Sequence, residues 1–164
     1  MNIPALNDEN LPYPDTMHPV VVHFVIAMVF FAYFCDVAGY LKRSYHLFEV
    51  SWWNMLVASV AVFVAVIFGQ LEASLAEPYP SAIPTLAWHT INGWSISVIL
   101  VAVTAWRGIL RVRNPLKIPV VYLGIMTVLM SLICLQIYLG DLIDWVYSLH
   151  TVPVIRATRE GLLK

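Results

Sequence analysis

Five histidines occur in the 164 residues, and four of them stand at the ends of apolar runs. His18 and His23 open "HPVVVHFVIAMVFFAYFCD", His89 opens "HTINGWSISVILVAV", and His150 follows "DLIDWVYSL". His46 lies apart in a short polar segment. A neutral imidazole is the commonest protein ligand for a metal. Two such rings on opposite sides of one iron hold a b-type haem between helices, and a larger set suits copper or zinc. The chain offers no Ser-His-Asp arrangement, no reactive cysteine setting, no glycine-rich phosphate loop and no zinc-protease motif. Enzymatic turnover is therefore not expected, and an electron carrier or an accessory subunit is.

Which of these chemistries applies depends on the elements that carry the rings. The chain is 60% hydrophobic and 12% charged, where a soluble domain has about a quarter of its residues charged. A net charge of −1 without clustered Lys and Arg argues against a nucleic-acid partner. The two cysteines, Cys35 and Cys134, lie inside apolar runs and read as small hydrophobes rather than a disulfide pair.

Four stretches reach the ~20 apolar residues that a membrane span needs, at about 19–41, 50–71, 87–106 and 119–146. The expected fold is all-α, an integral membrane four-helix bundle (18–150) flanked by a polar N-terminal segment (1–17) and a C-terminal tail (151–164). The first segment holds Asp8, Glu9 and Asp15 but no Lys or Arg, the reverse of a basic leader, so span 1 is expected to act as its own insertion signal. A continuous helix over 119–149 would be about 46 Å long at 1.5 Å per residue. The fourth span is therefore expected to shift, protrude or break near Gly140. Pro78, Pro80 and Pro84 suit an extended connection between spans 2 and 3.

Lys42 and Arg43 lie between spans 1 and 2, and Arg107, Arg111, Arg113 and Lys117 between spans 3 and 4. The other two exposed segments before span 4 carry neither Lys nor Arg. The positive-inside bias puts both basic loops in the cytoplasm. That gives an up-down topology with both termini on the non-cytoplasmic side.

In that topology His18, His23, His89 and His150 gather at the non-cytoplasmic face. Spans 1 and 3 enter in the same direction and are diagonal neighbours. His23, about one turn inside span 1, is expected to face His89 across the core, and the two are the favoured axial pair for haem b. His18 is five residues away, about 140° around a helix. Placed ahead of Pro19, it is expected to cap the helix and serve the rim. Asp141, Asp144 and Glu72 are expected around the ligands as orienting carboxylates, and Arg156 and Arg159 as partners for haem propionates. Phe24, Trp88 and Trp94 would suit the macrocycle's edges. The alternative is a copper or zinc site built from His18, His23, His89 and His150, with Glu72 or Asp141 in support.

Plainer readings stand beside these. A histidine, like Trp52, Trp53, Trp88, Trp106 or Trp145, can anchor a helix at the headgroups. Asp36, six residues before Lys42, is expected to reach the cytoplasmic interface. Gly39, Gly69, Gly93 and Gly124 are expected where helices pack closely.

"HPVVVHF" with Asp36, "HTINGWS" and "YLGDLIDWVYSLHTVPV" occur in an order and spacing that resembles the domain of unknown function 2231 family of bacterial membrane proteins. The resemblance covers about His18 to Val154 and implies that His18, His23, His89 and His150 are the family's recurrent histidines. Here "HFVIA" stands where that family commonly has "HFPIA". The pattern is similar to small haem-b membrane cytochromes. "FEVSWWNM" looks closest to cyanobacterial members, which implies a plasma or thylakoid membrane and a terminal oxidase or photosynthetic complex as partner.

Overall fold

The computed structural model describes residues 17–75, 78–149 and 159–161. Its elements are α1 (Met17–Lys42), α2 (Tyr45–Leu75), α3 (Ile83–Arg113) and α4 (Val120–Asp141), with a π-helical turn (Leu142–Val146) continuing α4. No strand occurs among the described residues. Each helix is long and apolar enough to cross a membrane.

The helices overrun the apolar stretches that mark them. α2 starts at Tyr45 instead of 50, and α3 runs from Ile83 to Arg113 instead of 87–106. Hydropathy registers only the lipid-depth part, while the backbone goes on winding until something stops it. α1 stops in a Schellman turn: Arg43 takes φ 52° and the Ser44 N–H bonds Gly39 O at 3.0 Å. Pro84 belongs to the first turn of α3 rather than to an extended loop, where its missing N–H costs nothing. Beyond Gly140 the fourth span neither shifts nor breaks. It widens into the π turn, with Tyr147 N–H bonding Leu142 O at 2.9 Å.

α1 and α3 each pack against α2 and α4, so α1 faces α3 across the diagonal. The facing seams follow steps of three and four residues, the spacing that keeps one stripe turned inward. On α1 the seam is His18, Val22, Val25, Val29, Ala32, Asp36 and Gly39. On α2 it is Phe48, Ser51, Met55, Ala58, Val62, Ala65, Gly69 and Glu72. On α3 it is His89, Gly93, Ile96, Leu100, Val103 and Arg107, and on α4 Tyr122, Met126, Leu129, Ile133, Gln136, Gly140 and Ile143. The middle of every seam is apolar and buried, while Phe34, Val60, Ile67, Val98 and Val128 face outward. A helix that is apolar all round needs an apolar solvent on its outer side.

The seams turn polar at both ends. At one end Asp36 and Arg107 are buried (0% and 1% exposed) with Arg107 Nε 3.6 Å from Asp36 Oδ1. Tyr122 Oη donates to Asp36 Oδ2 at 3.0 Å, and Arg107 Nη2 donates to Phe48 O at 3.2 Å. All four helices are thereby tied by one charge pair. Asp36 is turned into the bundle rather than out to its surroundings, and Arg107 is a residue of α3, not of the loop. A charge at this depth is stabilised by an opposite charge and hydrogen bonds inside the bundle. Further out, Arg111 grips Glu49 through two 2.7 Å bonds. The opposite end holds the histidines.

Candidate functional site

The histidine end is made by the first turns of α1 and α3 and the last turns of α2 and α4. His18 is half-buried, and its Nδ1 donates to Ala65 O on α2 at 2.8 Å. A carbonyl only accepts, so Nδ1 carries a proton, and in the neutral ring the lone pair is on Nε2. His89 on α3 is also half-buried, with ring centroids 6.4 Å from His18 and planes at 79°. Nitrogen–metal distances near 2.0–2.1 Å put the centres of two imidazoles on one ion roughly 6–6.5 Å apart. The observed spacing is of that size.

His18, not His23, therefore stands across from His89. The reason is phase: 18 belongs to the inward stripe 18, 22, 25, 29, 32, 36, and 23 does not. His23 is exposed and donates from Nδ1 to Pro19 O at 2.6 Å. It still borders the cavity described below. His18 lies within α1, so it is a helical residue and not the cap ahead of it.

Two glycines make room for the rings. A Cβ on Gly69 would meet His18 Cε1 at 2.7 Å, and one on Gly140 would meet His89 Cε1 at 3.4 Å. A third, Gly93, leaves space for Gln136, whose Nε2 a Cβ would approach to 3.2 Å. Gly39 is close-packed against Phe48, but nothing lies within 4 Å of a Cβ at Gly124, which is no packing site.

Gln136 is the polar residue of the site that motif reading passes over. Its Nε2 lies 3.0 Å from His89 Nε2 and 3.1 Å from His89 O, and its Oε1 accepts from Asn92 Nδ2 at 2.9 Å. An amide in the middle of "LMSLICLQIYLG" is costly to bury in a membrane protein without partners, and that cost was the available signal.

Between the rings and the helix ends lies a partly open cavity of about 250 Å³. Its walls are apolar, from Val22, Ile26, Val62, Ile96, Ile133 and Ile137, and the rings of His18, His23 and His89 and the amide of Gln136 are among its polar features. Its charged lining is acidic: Glu72, Asp141 and Asp144, with Glu72 buried and the other two exposed. No Lys or Arg lines it among the described residues. Arg159 is exposed and away from the lining, and His150 and Arg156 lie outside the described residues. Phe24, Trp88 and Trp94 point outward (48%, 63% and 46% exposed) and do not border the cavity. No group of three or more His, Cys, Asp or Glu is gathered at metal-binding distances among the described residues.

Four apolar helices of spanning length, closed at one end by a charge pair and opened at the other into a histidine-lined cavity, make this an integral, multi-pass membrane protein. The chain belongs to the DUF2231 family, described as "predicted membrane protein", whose family model matches residues 14–153. No curated protein and no solved structure matches it.

Proposed function

We propose that the protein is a b-type haem carrier passing electrons at the non-cytoplasmic face, with His18 and His89 as the pair that would hold the iron. The observation carrying this reading is the 6.4 Å separation of two imidazoles from diagonal helices, over an apolar cavity relieved by Gly69 and Gly140. When bound, haem supplies one-electron chemistry. The chain supplies the ligand on His18, oriented by the Ala65 carbonyl, and apolar walls that exclude water. The cavity is smaller than the roughly 300–1,000 Å³ of ligand pockets, so its open side is what admits a macrocycle. The proposed setting is an up-down bundle in a plasma or thylakoid membrane, both termini non-cytoplasmic, with a terminal oxidase or photosynthetic complex as electron partner. Oxidised and dithionite-reduced absorption spectra of the purified protein test it.

A second reading, a copper or zinc site, is favoured by one observation: the charged lining is acidic throughout. Glu72, Asp141 and Asp144 would attract a cation and would repel haem propionates turned towards them. Elemental analysis of the purified protein separates the two readings.

A further inference from the structure

We infer that the cavity is a laterally open site for a lipophilic ammonium, an alkyl- or arylamine held by its apolar part among the helices and by its charge at the carboxylates. The inference follows from the lining of the cavity and rests on neither the haem nor the metal reading.

The lining shows where the cavity opens. Its exposed residues are Pro19 and His23 on α1, and Ile137, Asp141 and Asp144 on α4 and the π turn. Every lining residue from α2 and α3 is buried or half-buried. The way in therefore lies between α1 and α4, two helices long and apolar enough to cross a membrane. Asp141 and Asp144 stand about one and two turns beyond Ile137 along the same helix. An amphiphile entering there finds apolar walls on one side and carboxylates at the end of the span.

The lining also shows what kind of ligand it suits. Its polar side chains are those of His18, His23, His89 and Gln136 and the carboxylates of Glu72, Asp141 and Asp144. The hydrogens on nitrogen are already given away. His18 Nδ1 donates to Ala65 O and His23 Nδ1 to Pro19 O. Gln136 Oε1 accepts from Asn92, so its Nε2 faces His89 and gives its two hydrogens to His89 O and Nε2. His89 Nδ1 is itself buried, out of a ligand's reach. What the cavity presents is lone pairs, on Nε2 of the neutral His18 and His23 rings and on the carboxylates. A matching ligand is a hydrogen-bond donor.

Charge and shape narrow it further. With three carboxylates and no Lys or Arg in the lining among the described residues, a cation is drawn in, and carboxylates and phosphates are repelled. The walls of Val22, Ile26, Val62 and Ile133 favour an apolar body, which a bare metal ion lacks. The volume, about 250 Å³, exceeds the roughly 150 Å³ that takes benzene. One aromatic ring with a short aminoalkyl chain fits.

The test is fluorine-19 NMR of para-fluorophenethylamine with the full-length protein in phosphatidylcholine nanodiscs, beside the propionate of the same ring. Saturable binding of the amine and none of the carboxylate is the expected result. Glu72, the buried carboxylate of the three, should matter most: Glu72→Gln is expected to weaken the amine about ten- to a hundredfold. Asp141→Asn, at an exposed position, should weaken it about two- to fivefold, and Val66→Phe, which fills the cavity, should abolish binding. No saturable binding of the amine, equal binding of the carboxylate, or an affinity unchanged in both Glu72→Gln and Val66→Phe would overturn the inference. Should the variants not fold, the comparison of amine with carboxylate on the wild type decides it alone. Haem is read from the Soret band and metal from elemental analysis of the same sample, so those readings fail or stand separately.

Discussion

A Cβ on Gly69 would stand 2.7 Å from His18 Cε1 and 2.9 Å from Nδ1, on a ring whose Nδ1 already holds the Ala65 carbonyl. The ring cannot retreat without giving up that bond. Gly69→Ala is therefore expected to displace His18, to cost about 1–3 kcal/mol of stability as overpacking, and to lower cofactor retention. Thermal unfolding and absorption in nanodiscs measure both, and unchanged values would show that the ring is not confined.

The three described histidines of the site divide by phase. His18→Ala and His89→Ala are each expected to abolish the cofactor signal, and His23→Ala to leave most of it, because His23 is exposed and off the seam. Loss of the signal in His23→Ala alone would restore the pairing expected from the sequence.

At the far end, Asp36 and Arg107 are both fully buried. Arg107→Leu leaves the buried Asp36 carboxylate without its opposite charge, and breaking a buried pair in this way costs about 3–5 kcal/mol. The double variant Asp36→Leu with Arg107→Leu should recover part of that loss, since no charge is then left uncompensated. Thermal midpoints of the two variants decide it: a double variant less stable than Arg107→Leu would contradict this account.

Two glycines should respond in opposite directions. Gly124 has nothing within 4 Å of an added Cβ, so Gly124→Ala should stabilise α4 by roughly 0.5–1 kcal/mol through helix propensity. An added Cβ at Gly39 would stand 2.8 Å from the Phe48 ring and 3.3 Å from Leu47 Cβ, so Gly39→Ala should destabilise the α1–α2 turn. Equal thermal midpoints for the two variants would show that the helices are spaced differently.

Much of this was legible in the chain and some was not, for physical reasons. Hydropathy marks lipid depth, so four spans could be read, but not the extra turns of α2 and α3, where Tyr45, His46 and Glu49, or Arg111 and Arg113, continue a helix into polar surroundings. The gathering of His18 and His89 followed from topology. Choosing between His18 and His23 required the seam, and in a helix apolar on every side no polar face marks the seam's phase. Asp36 at one end of that seam and His18 at the other were the phase markers, usable only if Asp36 was first recognised as buried. Gln136 was hidden because its meaning lies in Asn92, 44 residues away in sequence.

The central claim is that one iron is held between His18 and His89, and the absorption spectrum of the purified protein tests it most directly. A Soret band in the oxidised protein, sharpened visible bands after dithionite, and their loss in His18→Ala and His89→Ala are the predicted result. A protein without a Soret band, unchanged after incubation with hemin, would contradict it.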